Sequence, residues 1–431
     1  MSAICHIAVV AEKHVYRWAT FASTRSTALR LLWEHEPGWI QFVLIRRYAC
    51  HPVWRLMLLF DREDKAIRPQ AMDPRENDAS SPDSVFLRAI PPGPLDVVGD
   101  VHGEIEPLRR LLKALGYDEQ GAHADNRTLV FVGDLADRGP DSVAVVLLVR
   151  ELCRRGRALC IAGNHELNLL RSEVKDGNGW AYADNHDRKK GKYPHSRDAR
   201  ADERDLILDF FADLPIALYR EDLRIVHACW DDEALSQIVQ LGARQLGAAF
   251  DHFEARTTRQ LAELGLTGKS RAEQQAHDLR NPAKKPLLLD ASARADELRQ
   301  MGNPVRIMTS GVERAAASPF FSSGQWRMVD RIAWWKEYAN DTPVVVGHYW
   351  RWPTKVDRSL FEKDGPDLFA DARPADWLGL KRNVFCVDFS IGRRYREREL
   401  GFPEGSCARL GALRWPEREL VFDTGHRETT E

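Results

Sequence analysis

Nowhere does the 431-residue chain hold an apolar run of the ~18 residues that a membrane-spanning helix needs, so a membrane partner is not expected. Cysteine is scarce. The seven residues are scattered and odd in number, and none forms a Cys-x-x-Cys pair, which argues against a disulfide framework or a zinc ribbon. That usage fits a reducing compartment, and a cytoplasmic location is expected. Charge of one sign is lacking too: a formal net charge of −2 gives no global pull toward nucleic acid or anionic lipid. The start lacks a basic segment followed by a compact apolar core and a small-residue cleavage site, so no signal peptide is expected. What is present, 44% hydrophobic and 29% charged residues, is the composition of a soluble globular protein. The length suffices for two or three domains or one large decorated domain.

Three short blocks between Asp96 and Glu166 organise the chain: Gly99-Asp100-Val101-His102-Gly103, Gly133-Asp134-Leu135-Ala136-Asp137-Arg138-Gly139 and Gly163-Asn164-His165-Glu166. Each follows an apolar, β-branched run and precedes a helical pattern. Three loops at the carboxyl ends of strands thus carry Asp, His, Asp, Asn and His, at the edge of an α/β sheet where ligands bind. Carboxylate, imidazole and amide oxygen are N/O ligands for divalent Mn, Fe or Zn. An Asp-x-His pair in an extended loop can turn both side chains to one ion, and a lone Asp on the next strand can bridge two. Two ions roughly 3.5–4 Å apart form the clamp used for in-line displacement at phosphorus. Arg138 offers a bidentate fork for phosphate oxygens.

Each residue also has a bland explanation when taken alone. Asp100 and Asn164 could be helix N-caps, His227 and His348 satisfied structural histidines, and Arg138 a partner of Asp137. Those explanations would have to hold independently at five strand ends carrying D-x-H, D, N-H, H and G-H in that order. The joint metal reading is the one we carry forward.

The three blocks together resemble the phosphoprotein-phosphatase branch of the calcineurin-like metallophosphoesterases, the branch of bacterial serine/threonine phosphatases and symmetrical dinucleoside tetraphosphatases. The resemblance covers about residues 95–235 and 343–392. It implies an α/β fold, a metallophosphoesterase-type β-sandwich flanked by helices. It implies Asp100, His102 and Asp134 around a first metal, and Asp134, Asn164, His227 and His348 around a second, with Asp134 bridging. His165 would be the general acid, oriented by Asp137, and Arg138 would bind the phosphoryl group. The reaction implied is attack of a metal hydroxide on phosphorus, with two divalent ions, Mn first and Fe or Zn as alternatives. The chain departs from the family pattern after His227, where Ala228-Cys229-Trp230 replaces small residues, and after His348, where Tyr349-Trp350-Arg351 stands. Arg351 is a candidate second phosphate contact.

Along the chain, residues 1–86 are expected to be a poorly defined extension and linker, 87–230 and 341–431 the catalytic core, and 231–340 a mainly helical insertion or cap. Much of 1–70 is expected not to form a folded domain and to lie upstream of the true start, with Met57 or Met72 as candidates. A small accessory helix pair is the alternative. Leu108, Leu111, Leu112 and Leu115 fall on one face of a helix over Glu104–Leu115 that Gly116 stops. Val145, Leu148, Val149 and Leu152 do the same over Asp141–Arg154, and a third helix should run over His165–Arg171 with Asn164 as its cap. A hairpin is expected over 216–227, single strands before His348 and Asp388, and a closing hairpin around Pro416-Glu417. The basic, glycine-bearing stretch 175–200 follows the third block and suits a substrate loop. Trp326, Trp334, Trp335, Trp350 and Trp352 would pack cap on core or stack against a base.

The leading function is a dinuclear-metal phosphohydrolase resembling serine/threonine protein phosphatases. The alternative is a symmetrical dinucleoside tetraphosphatase or an enzyme that decaps nucleotide-capped RNA ends. A nuclease is disfavoured by Arg138, which suits a terminal phosphate, and a binding module without catalysis is the distant rival.

Overall fold

The structure, a computed structural model, describes residues 84–431 except 176, 183–192, 194, 323 and 362–364, and before residue 84 only the backbone of four strands. The chain divides into two compact units, Met1–Ala79 and Ser80–Glu431. In the first, β1 (Val10–Ala11) pairs antiparallel with β2 (His14–Val15), and β3 (Ala28–His35) with β4 (Trp39–Arg46). The expectations for residues 1–70, and the apolar run at 53–60, fall mostly outside the described residues.

The second unit is a sandwich of two mixed sheets. One runs β17-β16-β15-β6-β7-β8, built from β6 (Leu95–Val98), β7 (Thr128–Phe131), β8 (Ala158–Cys160), β15 (Gly411–Trp415), β16 (Glu419–Phe422) and β17 (Arg427–Thr429). The other runs β14-β13-β10-β9-β5, from β5 (Leu87–Ala89), β9 (Ala217–Arg220), β10 (Leu223–Val226), β13 (Val344–Val346) and β14 (Val384–Cys386). Strands β6, β7 and β8 are mutually parallel, and so are β10, β13 and β14. Side chains alternate between faces. Leu95, Val97 and Val130 meet Leu218, Leu223, Ile225, Val345 and Phe385 between the sheets, while Val98, Leu129 and Phe131 face the helices. Because both faces are covered, β6 reads as a continuous apolar run broken only by Asp96.

Helix α1 (Ile105–Leu115) buries the four leucines its spacing marks and ends at Gly116 with φ 99°. Helix α2 (Ser142–Arg154) is capped by the Asp141 side chain on Ala144 N. Helix α3 (Asn164–Leu170) corrects one expectation: Gly163 is its N-cap and Asn164 its first residue. The cap's work is done by Glu166, which accepts from Gly163 N at 2.8 Å and frees the Asn164 amide for other use. Helix α4 (Ala201–Ala212) leads into the β9–β10 hairpin.

Between β10 and β13 lie α5 (Asp232–Gln240), α6 (Leu246–Glu263), α7 (Leu266–Ala276), α8 (Asp290–Met301) and α9 (Pro304–Ser310). The insertion is not helical to its end. β11 (Glu313–Ser322) and β12 (Gln325–Arg331) form a long antiparallel hairpin, bulged between Ala315 and Phe320, and Met328 packs on Leu289 and Ala293 of the α8 segment. Phe250, Phe253, Val305 and Met308 join the main core. Trp334 and Trp335 are buried there too, which is the packing role. A last short helix, α10 (Arg394–Glu399), precedes β15.

Candidate metal centre

Six strand ends converge. β6 leads to Asp100 and His102, β7 to Asp134, β8 to Asn164 and His165, β10 to His227, β13 to His348, and β14 to Asp388. The first loop hangs from the second: Val101 N and His102 N both donate to Asp134 O, at 3.0 and 2.9 Å. Glu166 braces the third loop against the second by accepting from Asp134 N and Leu135 N at 2.8 and 2.9 Å. Two glycines let the carboxylates in. A Cβ at Gly163 would strike Asp134 Oδ1, and one at Gly347 would strike Asp100 Oδ1. His102, Asp134, Asp137, Arg138 and His348 all have positive φ, between 48° and 77°. For non-glycine residues this is stored strain of roughly 1–3 kcal/mol each, held by the surrounding hydrogen bonds and typical of functional sites.

Asp134 is central. Its Oδ1 lies 3.4 Å from His227 Nε2, and its Oδ2 lies 3.9 Å from His102 Nε2 and 3.8 Å from His165 Nε2. His102 Nε2 is also 3.8 Å from Asp100 Oδ2. His102 donates from Nδ1 to Ala136 O at 3.1 Å, and His227 from Nδ1 to Val132 O at 2.7 Å, so both turn Nε2 inward. These second contacts fix tautomers as backbone carbonyls do for metal-bound imidazoles. Three inward atoms, Asn164 Oδ1, His227 Nε2 and His348 Nε2, are buried and have no hydrogen-bond partner. Buried polar atoms of that kind are costly unless something fills the place. Donor atoms of Asp134, His227 and His348, and of His102, Asp134 and His165, lie within 4.8 Å of one another. This all-N/O donor set fits divalent cations held at about 2.0–2.2 Å.

Electrostatics point the same way. Burial pushes the Asp100 carboxyl well up, and repulsion from Asp388 and Asp134 adds to it; burial raises Asp388 as well. Burial opposes ionisation of Asp134, yet the imidazoles of His227, His165 and His102 hold it well below the carboxylate range. Burial and then cationic neighbours, Arg138 for His102 and Arg331 for His348, keep those two imidazoles neutral, the form that binds metals. His227 is different: burial is outweighed by Asp134 and Asp100, which lift it to about 10. A cation there must displace that proton.

His165 donates from Nδ1 to Asp137 Oδ2 at 2.5 Å, and Asp137 Oδ1 accepts from Trp180 Nε1 at 2.7 Å. Asp137 is thereby committed, and it is not the partner of Arg138. The Arg138 fork instead spans His102 Nε2 and His165 Nε2, at 2.8 and 2.9 Å, with its guanidinium 4.8 Å from the Trp350 ring. A cation on His102 takes the same lone pair, so it requires Arg138 to swing outward.

Arg351 is a correction. It is 1% exposed, donates to the carbonyls of Arg373 and Asp376, and lies against Phe369, Phe385 and Phe389. Burial lowers it to about 10. Its position next to Trp350 in sequence suggests the site, but the backbone turn at Trp350, φ 61°, sends the next side chain into the core. Sequence reasoning missed Trp180, Glu166, Asp388 and Arg393. Glu166 closes the third block and was legible there. Trp180 carries no signal. Asp388 accepts from Trp350 N and Ser390 N at 2.7 and 2.8 Å, and Arg393 stacks 4.4 Å from the Trp350 ring. Of the stretch 175–200, residues 183–192 are not described. Its later part is tied down, with Ser196 donating to Gly139 O and Arg197 paired with Asp141 and Glu203.

Comparison with known proteins adds family and relatives. Residues 93–247 match the model of the calcineurin-like phosphoesterases. An asymmetrical bis(5'-nucleosyl)-tetraphosphatase of Oceanobacillus iheyensis is 48% identical over 80 residues, 18% of this chain and 32% of that protein. A symmetrical bis(5'-nucleosyl)-tetraphosphatase of Ralstonia nicotianae is 35% identical over 143 residues, 33% of this chain and 43% of that protein. The chain thus spans less than half the length of these curated relatives. Among solved structures, a cold-active protein-tyrosine phosphatase of Shewanella is 15% identical over 93% of this chain and 98% of its own, with a TM-score of 0.40. On the family match and the three loop blocks, the chain carries a calcineurin-like phosphoesterase domain.

Proposed function

We propose that this chain is a metal-dependent phosphohydrolase, and that nucleoside polyphosphates are its substrates. The observation that carries the first part is the set of three buried polar atoms without a hydrogen-bond partner, Asn164 Oδ1, His227 Nε2 and His348 Nε2, gathered with Asp134. Asp100, His102 and Asp134 would hold one cation, and Asp134, Asn164, His227 and His348 a second. Bound there, two divalent cations supply Lewis-acid stabilisation of charge at phosphorus and acidify water. Manganese is the first ion to test, with iron and zinc compatible with the same donors.

The chain's own groups do the rest. Arg138, freed from the two imidazoles, binds nonbridging phosphoryl oxygens bidentately. The Asp137 carboxylate orients the His165 ring through Nδ1, so Nε2 is placed to deliver a proton to the leaving oxygen. Trp180 holds Asp137 in place and shields it from water. The second part rests on the two tetraphosphatase relatives. A reducing, cytosolic setting belongs to the same reading, since the described cysteines are free thiols. No helix among the described residues is long and apolar enough to cross a membrane.

The test is Mn²⁺-dependent product release from diadenosine tetraphosphate and from a phosphothreonine peptide, side by side, with the His165→Ala protein as control. Preference for the dinucleotide is expected. Preference for the peptide would replace the substrate class with phosphoproteins, and release from neither would overturn the assignment.

A further inference from the structure

Beside the metal centre lies a pocket of about 220 Å³, enclosed by the β11–β12 hairpin and the segment that follows His348. Trp350 belongs to both: its ring lines the pocket and lies under Arg138. The pocket's walls sort by chemistry. Phe320 and Trp352 give it aromatic surface, Arg327 and Arg331 give it guanidinium groups, and Glu313 gives it a carboxylate. Arg331 makes no side-chain hydrogen bond and no ion pair among the described residues. Arg327 has one long bond, from Nε to Ser322 O at 3.4 Å. The third arginine, Arg358, is already committed to Gly365 O, Pro366 O and Asp367. Two half-buried guanidiniums that share the single wall carboxylate of Glu313, with no ion pair closed within 4 Å among the described residues, stand next to a phosphoryl-handling site and are set to receive anionic oxygens. Flat rings beside them suit a base, and a carboxylate at the same wall suits sugar hydroxyls, as in dinucleotide sites.

We propose that this hairpin pocket binds the nucleotide portion of the substrate beyond the phosphorus under attack, with Arg331 and Arg327 on its phosphates. It rests on the phosphohydrolase reading for its purpose, but its ligand can be measured without turnover. The hairpin is then the part of the insertion that selects the substrate. Neither its sequence nor the three loop blocks announced it, because the pocket forms only when Glu313–Arg331 folds back over the segment after His348.

The experiment is calorimetric titration of the chelator-stripped full chain with ADP, with adenosine as the ligand lacking phosphate. ADP should bind and adenosine should bind far more weakly. Arg331→Gln should weaken ADP by about tenfold or more, the loss expected for a charged hydrogen-bond donor. Arg331→Lys should recover part of that loss, and Arg109→Gln, on the exposed face of α1, should change nothing. Arg327→Gln is the second variant if Arg331→Gln melts early. No ADP binding by the unaltered chain, or ADP affinity left unchanged by both Arg331→Gln and Arg327→Gln, would overturn the pocket. ADP binding that is weakened by Arg331→Gln, in a chain that hydrolyses no phosphate compound, would sink the catalytic reading and leave the pocket standing. Hydrolysis of diadenosine tetraphosphate with ADP affinity unchanged by Arg331→Gln and Arg327→Gln would do the reverse.

Discussion

One carboxylate oxygen of Asp134 accepts from His165 N at 3.0 Å and lies near His227, and the other lies between His102 and His165. Asp134→Asn keeps the shape and removes the charge. The expected outcome is loss of turnover together with weaker metal retention, read as metal per chain after dialysis. His165→Ala should behave differently. It removes the proposed proton donor, a role worth about 10²–10⁴-fold in rate, and leaves Asn164, His227 and His348 intact. Metal content should stay near that of the unaltered protein while kcat falls. Full activity in either variant would refute the role assigned to that residue. At this scale the sequence was informative where a residue ends a strand inside a motif, as for Asp100, His102, Asp134 and His348. It misled where a residue merely neighboured one. Arg351 follows Trp350, whose left-handed backbone reverses which way the next side chain points, and no local pattern encodes that reversal.

Between elements, the bracing of α3 against the β7 loop depends on one side chain. Glu166, fully buried, takes the N–H groups of Gly163, Asp134 and Leu135. Glu166→Ala would strand three buried donors at about 1–3 kcal/mol each before relaxation. A loss of roughly 3 kcal/mol or more is expected in denaturant unfolding, with metal retention falling alongside. A second brace ties β6 to the closing hairpin. Arg127 donates to Asp96 at 3.0 Å and to Glu417 at 2.7 Å, and Arg414 approaches Asp96 from β15 at 3.2 Å. The Arg127 bond holds the Glu417 carboxyl below its ordinary value against a smaller opposing effect of burial. A depressed carboxyl contributes stability above its unfolded pKa, and that stability is lost as pH falls through the folded value. Glu417→Gln should therefore flatten the acid side of the stability curve, below about pH 4, and change little at neutral pH. Glu417 is half-exposed, so the effect is small. Helices α1 and α2 were legible because leucine and valine recur at helical spacing over three turns. The β11–β12 hairpin was not. Its first strand, ERAAASPFFS, has no alternation and an alanine run that favours helix, and it is held by its partner strand and by α8.

For the molecule as a whole, the two sheets bring a concentration of like charge to one edge. Asp100, Asp134 and Asp388 are all nearly or fully buried there, and repulsion from neighbouring carboxylates helps to keep Asp100 and Asp388 raised. Without cations the fold carries that repulsion together with the strained backbone at His102, Asp134 and His348. Divalent ions held by the convergent donors would relieve it in the folded chain and would have no comparable site in the unfolded one. Ligand linkage then sets the size: at a free ion concentration 100 times the dissociation constant, stabilisation is about 2.7 kcal/mol. Spread over a unit of this size, that corresponds to a rise of a few degrees in the thermal midpoint. Scanning calorimetry of the chelator-treated chain, before and after adding Mn²⁺, should show that rise. The Asp134→Asn chain should show little of it, because the proposed shared ligand is gone. Equal midpoints with and without the ion in the unaltered chain would mean that the convergent donors do not form a cation site. The same rise in the Asp134→Asn chain would mean that the ions bind elsewhere on the surface.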